Sequence, residues 1–367
     1  MIKSCYIHIP FCDTICSYCD FCKVYKTDKW IDLYLDNLEK EIKSNPVKDP
    51  LETIYIGGGT PSCLSPSQLE RLLKIIDTLP KKEIIEYTIE GNFESTTKEK
   101  LLLYKKYGIN RLSFGIETTN NELLKTINRV SNKEEIRELI EEARNIGFHN
   151  INIDMIYGIP NETINDIKND LDFILSLEPT HISAYSLIFE KHTILTINKE
   201  KPVPEELELE MINKINQVLK ENQYEHYEIS NYAKANYQSK HNKTYWKNEE
   251  YYAYGLGASS YIDDKREKTT RSLTKYLNGI ITKETEVLSK KDKIIYEIIL
   301  NLRTKDGISL ENFYKKYQVE LKDLYNYQEL INNNFLKEEN NQLSIPEDKW
   351  YISNEIIVKV LEGEINE

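Results

Sequence analysis

The chain has 367 residues, a formal net charge of −12 and six cysteines. That length suits two or three domains, and the acidic balance argues against nucleic acid as the main partner, because such affinity comes largely from clustered Lys and Arg. Cysteines crowded into one loop are not typical of a disulfide framework, and no run approaches the length of a membrane span. We therefore expect a cytoplasmic protein.

A short apolar strand is predicted for residues 5–9, and the loop after it carries Cys12, Cys16, Cys19 and Cys22. Thiolates this close together need a cation to offset their repulsion, so the alternatives are a zinc site and an iron–sulfur cluster. A structural zinc site usually adds a second Cys or His pair, and none follows here. A closed ferredoxin-type cluster favours C-x2-C spacing, whereas this loop begins with C-x3-C.

Strands and helices then alternate along the first two hundred residues. The predicted strands are 5–9, 53–56, 86–90, 111–116, 150–155 and 181–187, and the predicted helices include 30–44 and 205–221. Capping patterns mark further helix starts at Ser65, Thr96, Ser131 and Thr163. Six strand–helix pairs indicate a parallel sheet curved as part of a barrel, with functional residues at the C-terminal ends of the strands.

Unusual residues lie at those strand ends. Gly57-Gly58-Gly59-Thr60 follows the second strand, and glycines expose backbone groups to a ligand without obstruction by Cβ, although a tight turn would look the same. The segment is neither a P-loop nor a Rossmann fingerprint. Glu90 and Glu117 end two further strands with a charge, and such charges are often merely solvated.

Several segments together resemble the oxygen-independent coproporphyrinogen III oxidase-like group of radical S-adenosylmethionine proteins, and the resemblance covers most of the chain. The segments are Tyr6–Cys12 (YIHIPFC) with the C-x3-C-x2-C spacing, Gly57–Ser62 (GGGTPS), Arg111–Glu117 (RLSFGIE), Asn128–Arg129, and Ile153–Pro160 (IDMIYGIP). The resemblance implies a partial (β/α)6 TIM-like barrel of the radical S-adenosylmethionine type.

The resemblance also implies a site. Cys12, Cys16 and Cys19 would ligate three irons of a 4Fe–4S cluster and leave the fourth iron open for S-adenosylmethionine, while Cys22 remains an alternative fourth ligand. The residues implied to surround S-adenosylmethionine are Tyr6, Tyr18, Gly58, Gly59, Thr60, Glu90, Glu117, Arg129 and Asp154. Position 117 departs from the family, in which Gln is usual.

The Tyr-rich segment after residue 201 adds a second resemblance. Tyr227–Lys234 (YEISNYAK) followed by His241–Trp246 (HNKTYW) resembles the HemW branch of the same group, whose members are heme chaperones. This implies heme as a further cofactor, with His241 as the leading axial ligand and Tyr245 as the second, although a His among aromatic residues is more often simply packed or hydrogen-bonded. Ser259 stands where that branch has a His.

Residues 286–367 are predicted to form a C-terminal winged-helix-like α+β domain. The domain carries 11 basic and 16 acidic residues, so we expect it to pack against the barrel rather than bind DNA. The predicted division is therefore a barrel over 1–200, an extension over 201–285 and this domain.

The sequence as a whole favours a heme chaperone. The rival is an oxygen-independent coproporphyrinogen III oxidase, which is disfavoured because Cys19-Asp-Phe-Cys22 replaces the Cys-x-Cys of that enzyme. The implied partners are a heme-accepting protein and a low-potential electron donor, with the surface of a membrane as a further peripheral contact. Nucleic acid is not expected, and whether S-adenosylmethionine is cleaved or only held stays open.

Overall fold

The first two hundred residues form the predicted alternation of strands and helices in a computed structural model that describes residues 1–365. The strands are β1 (Ser4–Ile9), β2 (Phe11–Cys12), β3 (Val24–Tyr25), β4 (Leu51–Gly58), β5 (Lys81–Gly91), β6 (Arg111–Glu117), β7 (Asn150–Tyr157) and β8 (His181–Ser186). The helices are α1 (Asp28–Ser44), α2 (Pro66–Asp77), α3 (Lys98–Lys106), α4 (Asn121–Thr126), α5 (Lys133–Ile146), α6 (Ile164–Ser176) and α7 (Ile194–Ile197). All six predicted strands are confirmed.

The next segment adds strands to the same sheet. Its elements are α8 (Glu205–Glu221), β9 (Glu225–Glu228), β10 (Asn231–Ala233), α9 (Lys240–Trp246), β11 (Tyr252–Tyr254), β12 (Ser259–Ile262), β13 (Lys265–Thr269), α10 (Leu273–Leu277) and β14 (Lys283–Val287). The main sheet has nine strands in the order β11-β1-β4-β5-β6-β7-β8-β10-β9. The strands from β11 to β8 run parallel, whereas β10 and β9 pair antiparallel at the edge. The partial (β/α)6 barrel is thus confirmed, and residues 201–285 extend it at both edges.

Local capping explains where most helices begin. Ser65 and Thr163 form the predicted capping boxes of α2 and α6. Two other predicted caps lie one residue early, since Thr97 caps α3 and Asn132 caps α5. The Thr96 hydroxyl instead donates to the Asn92 carbonyl at 2.8 Å.

Helix α9 closes the N-terminal end of the barrel. Glu86, near the middle of β5, accepts hydrogen bonds from the Ser239 hydroxyl at 3.1 Å and from the backbone N–H groups of Lys240 and His241, each at 2.9 Å. A carboxylate at this position satisfies backbone donors that would otherwise be orphaned at the start of the helix. The segment predicted to bind heme is therefore fixed to the barrel interior.

The last part of the chain is a separate α+β unit with its own hydrophobic core. Its elements are α11 (Lys290–Asn301), β15 (Ile308–Ser309), α12 (Leu310–Tyr317), α13 (Leu321–Leu324), α14 (Gln328–Asn332), β16 (Lys337–Glu339), β17 (Gln342–Ser344) and α15 (Ser353–Glu362). The antiparallel sheet β15-β17-β16 with the helices before it confirms the winged-helix-like fold.

This unit docks on the edge of the main sheet. The Ile229 amide donates to the Arg303 carbonyl and the Lys305 amide to the Tyr227 carbonyl, both at 3.0 Å. These bonds cover the β9 edge, which would otherwise present unpaired backbone groups. Among residues 1–365, no helix has the length and apolar character needed to cross a membrane.

Candidate functional site

A cavity of about 500 Å³ opens at the C-terminal ends of the barrel strands. That volume falls in the range of small-molecule sites, which is about 300–1,000 Å³. The structure brings together here nearly all the residues that the sequence resemblance implied. The lining includes Cys12, Cys16, Tyr18, Cys19, Gly58, Gly59, Thr60, Glu90, Glu117, Arg129 and Asp154.

The cysteine loop is held over this cavity by backbone hydrogen bonds to distant segments. The Ser17 amide donates to the Ile127 carbonyl at 2.9 Å, and the Leu195 amide donates to the Ser17 carbonyl at 3.1 Å. The Asn128 side-chain amide donates to the Ile15 carbonyl at 2.8 Å. The loop is thereby fixed by residues that follow β6 and β8.

The three cysteine thiols suit a multinuclear cluster better than a single ion. No three His, Cys, Asp or Glu groups within residues 1–365 are placed to hold one metal ion. Cluster ligands need not converge in that way, because each thiolate of a cubane cluster binds its own iron. Burial raises the pKa of the Cys12 thiol to about 11 and that of Cys16 to about 12, so both are neutral until a metal displaces their protons.

The glycine triplet allows β4 to pass close to its neighbours. A methyl group on Gly57 would lie 2.7 Å from a Glu90 carboxylate oxygen, and one on Gly59 would lie 2.9 Å from the Cys12 sulfur. Gly58 has φ +122° and would collide with the His8 ring. Small residues are therefore required here by internal packing, and Gly58 and Gly59 also present their backbone to the cavity.

Two half-buried carboxylates on β5 and β7, Glu90 and Asp154, border the cavity. Glu90 accepts from the Tyr55 hydroxyl at 2.7 Å and from the Gly58 amide at 2.9 Å. Asp154 accepts from the Asn152 side-chain amide at 2.7 Å. Burial raises the pKa of both carboxyl groups, and these hydrogen bonds oppose that rise. A cationic ligand in the cavity would offset the cost of burying them.

Glu117 sits in a strained backbone position. Its φ is +60°, in the left-handed region, and the register between β6 and β7 shifts between Gly115 and Glu117. The Tyr18 hydroxyl donates to Glu117 Oε1 at 3.1 Å, and Arg129 Nη2 lies 3.6 Å from Oε2. Strain of this kind persists where the surroundings enforce it, often at functional sites. Glu117, which stands where the family usually has Gln, therefore forms an ion pair with Arg129.

Tyr6 does not line this cavity, contrary to the expectation from the resemblance. Its hydroxyl is hydrogen-bonded to His8 Nδ1 at 3.0 Å, and its side chain borders a second cavity of about 420 Å³. Cys22 borders the same second cavity and is absent from the lining of the first. The position of Cys22 supports three cluster ligands rather than four.

His241 is not presented as an exposed heme ligand. Its side chain is fully buried, with Nδ1 2.9 Å from the Thr53 hydroxyl and Nε2 2.7 Å from the Tyr245 hydroxyl. Burial lowers the pKa of the imidazole to about 3, so the ring is neutral. Both ring nitrogens are engaged, which corrects the expectation of an open axial position. Tyr245 is half-buried and borders the second cavity, as does the exposed Ser259.

Two residues near the site were missed by the sequence analysis. Tyr55 supports Glu90, and Glu94 lies 3.2 Å from Arg129 Nη1. Tyr55 could have been found from the alternation of side chains along β4. Residues 53, 55 and 57 lie on one face of this strand, and residue 57 is the glycine beside Glu90. Glu94 follows β5 in a short 3-10 turn and carries no pattern of its own.

A three-cysteine loop over a cavity at the mouth of a partial barrel defines a radical S-adenosylmethionine protein. Comparison with known proteins agrees: residues 6–174 match the radical SAM superfamily and residues 288–349 match the HemN C-terminal domain. The fold is similar to that of coproporphyrinogen III oxidase (HemN) from Escherichia coli, with a TM-score of 0.86 and 22% identity over 98% of this chain and 90% of that one.

The sequence also has relatives along its whole length. It is 39% identical to the heme chaperone HemW of Lactococcus lactis subsp. lactis (strain IL1403), over 99% of this chain and 98% of that protein. It is 38% identical to heme chaperone HemW of Bacillus subtilis (strain 168), with 88% and 89% covered. The chain belongs to the HemW family.

We expect His241→Ala to lower the free energy of unfolding by about 2–4 kcal/mol, because it removes a packed ring and deprives the Tyr245 hydroxyl of its hydrogen-bond partner. Chemical denaturation under anaerobic, reducing conditions measures this. The control is His149→Ala at an exposed position, which should change stability by less than about 0.5 kcal/mol. A His241→Ala protein of wild-type stability would contradict the structural role of this ring.

Proposed function

We propose that this chain is a heme chaperone that carries a 4Fe–4S cluster and S-adenosylmethionine, and that passes heme to an acceptor protein. The observation that carries the proposal is the similarity to relatives named heme chaperone HemW over nearly the full length of both chains. The radical SAM family match implies the cluster and S-adenosylmethionine, and the cavity described above has the residues to hold both.

Cys12, Cys16 and Cys19 would hold the cluster. They line one cavity, and the Thr60 hydroxyl lies 3.6 Å from the Cys12 sulfur, where it can stabilise a thiolate. The cluster, when bound, supplies low-potential electrons and an iron with an open coordination position for S-adenosylmethionine. The loop that carries the three thiols is hydrogen-bonded to residues that follow β6 and β8, and Cys22 borders the second cavity instead of the first.

The charge of the cavity suits S-adenosylmethionine. The molecule carries a positive sulfonium and an ammonium group, and the carboxylates of Glu90, Glu117 and Asp154, which border the cavity, are natural partners for these charges. Arg129 is paired with Glu117 and Glu94, and its buried Nε has no hydrogen-bond partner within residues 1–365. Arg129 also borders the cavity, where its guanidinium can pair with the ligand's carboxylate.

We expect Cys16→Ala to abolish cluster assembly and Cys22→Ala to leave it intact, because only Cys16 faces the cavity that holds the other two thiols. Anaerobic reconstitution with iron and sulfide, followed by iron quantification and electron paramagnetic resonance of the reduced protein, measures this. Loss of the cluster in both variants to the same degree would show that Cys22 closes the fourth iron.

We expect Glu90→Gln to weaken S-adenosylmethionine binding about ten- to a hundredfold with the cluster intact, because a hydrogen bond to a charged partner contributes about 1.5–3 kcal/mol. Calorimetry on the reconstituted protein gives the affinity. Glu190→Gln is the matched control, since Glu190 borders the same cavity but is exposed. Equal affinities for Glu90→Gln and wild type would remove Glu90 from the site.

The function itself is tested by two assays on one preparation. We expect tight, stoichiometric hemin binding in an absorbance titration, and no decarboxylated product from coproporphyrinogen III with S-adenosylmethionine and a low-potential reductant. Transfer to a heme-free acceptor should then follow as loss of the bound spectrum. Catalytic decarboxylation without hemin binding would replace the chaperone proposal with the oxidase alternative.

A further inference from the structure

A second cavity lies on the other side of the cysteine loop from the one that holds the cluster ligands. Its volume is about 420 Å³, and Asp20 and Phe21 border both cavities. The proposed cofactor set does not use it. We propose that this second cavity is where the protein holds heme, with Cys22 as the iron ligand and with Lys268 and Arg271 facing the two propionates. The proposal rests on heme being the cargo.

The walls of the second cavity are aromatic. Tyr245 and Tyr251 pack edge to face with their ring centroids 4.6 Å apart, and Tyr6 borders the same space. Phe21 is 68% exposed at the rim, an unusual exposure for a large apolar ring beside a cavity. Such walls suit a porphyrin, because the Tyr rings can stack on its flat apolar face while the Tyr hydroxyls stay hydrated.

Two cations face the same space. Lys268 on β13 and Arg271 just after it are both exposed and border the cavity. No ion pair among residues 1–365 involves either one, and the nearby Glu267 is already paired with Lys283. The Arg271 guanidinium donates to the Asp20 carbonyl at 2.8 Å, which keeps it over the loop. Heme carries two carboxylates on one edge, and Arg and Lys are the side chains that pair with them.

Among residues 1–365, Cys22 is the only one with a thiol that borders this cavity. Its carbonyl is 2.7 Å from His8 Nε2, which fixes the backbone. Gly257, with φ +72°, packs against it so closely that a methyl group there would lie 2.9 Å from the sulfur. Burial raises the pKa of the Cys22 thiol, and the Arg271 guanidinium beside it opposes that rise. Thiolate is an established axial ligand of heme iron.

The buried histidine of the HNKTYW segment reaches this cavity through a tyrosine. His241 Nε2 is 2.7 Å from the Tyr245 hydroxyl, and Tyr245 borders the cavity while His241 does not. The segment therefore acts through the position of Tyr245 rather than through direct ligation by imidazole. This accounts for a heme-associated motif whose histidine is fully buried.

The test is an absorbance titration of the reconstituted protein with hemin and with iron-free protoporphyrin IX. Cys22→Ser should weaken hemin binding at least tenfold and remove the thiolate signature of the ferrous–carbonyl spectrum, while leaving protoporphyrin IX affinity unchanged. Lys268→Glu with Arg271→Glu should weaken both porphyrins at least tenfold. Lys240→Glu with Lys290→Glu, on another cavity, is the matched control and should weaken neither.

These titrations distinguish failure of the proposed heme site from failure of the proposed chaperone function. Wild-type protein that binds no hemin overturns the chaperone proposal and this one together. Hemin binding that survives both Cys22→Ser and the double charge reversal overturns the site alone. The charge-reversed residues are exposed, so that variant tests the site even if Cys22→Ser fails to fold, and circular dichroism checks the fold of each protein.

Discussion

The close approach of β4 to the start of the cysteine loop is the constraint on which the first cavity depends. The Gly59 amide donates to the Ile9 carbonyl and the Thr60 amide to the Phe11 carbonyl, both at 2.8 Å, so pairing continues beyond the end of β1. A Cβ on Gly59 would lie 2.8 Å from the Phe11 carbonyl oxygen, which is backbone and cannot move aside. Any larger residue would therefore push Cys12 away from the barrel mouth.

A polar barrel interior connects the two ends of the fold. Arg111 is buried to 1% exposure, and although burial opposes its charge, the nearby Glu86 and Asp154 carboxylates help to raise its pKa. Barrels are ordinarily filled by branched apolar side chains. Replacing such packing with buried ions gains little stability, because the desolvation cost is high. Glu86 is better explained by what it holds in place, because it accepts the hydrogen bonds that start helix α9.

The sequence predicted the parts of this structure that are local. Each barrel strand carries apolar residues at several positions, and Ser65 and Thr163 mark helix starts through contacts three residues away. Strands β9, β10 and β11 have only three or four residues each. Their place in the sheet is set by distant pairings, of β10 with β8 and of β11 with β1, which no local pattern predicts. The burial of His241 depends on Thr53, which lies 188 residues earlier in the chain. Tyr6 faces the second cavity because of the face of β1 it occupies, which the motif alone does not specify.

One loop forms the wall between the two proposed binding sites, and this has a thermodynamic consequence. Cys19 faces the first cavity, Cys22 faces the second, and Asp20 and Phe21 border both. Ligation of Cys19 by a cluster would fix the backbone that positions Cys22, and so would reduce the conformational entropy lost when heme binds. Coupling between binding sites is reciprocal, so bound heme would stabilise the cluster by the same free energy. The cluster would then set the affinity for heme, and loss of the cluster would promote release of the cargo.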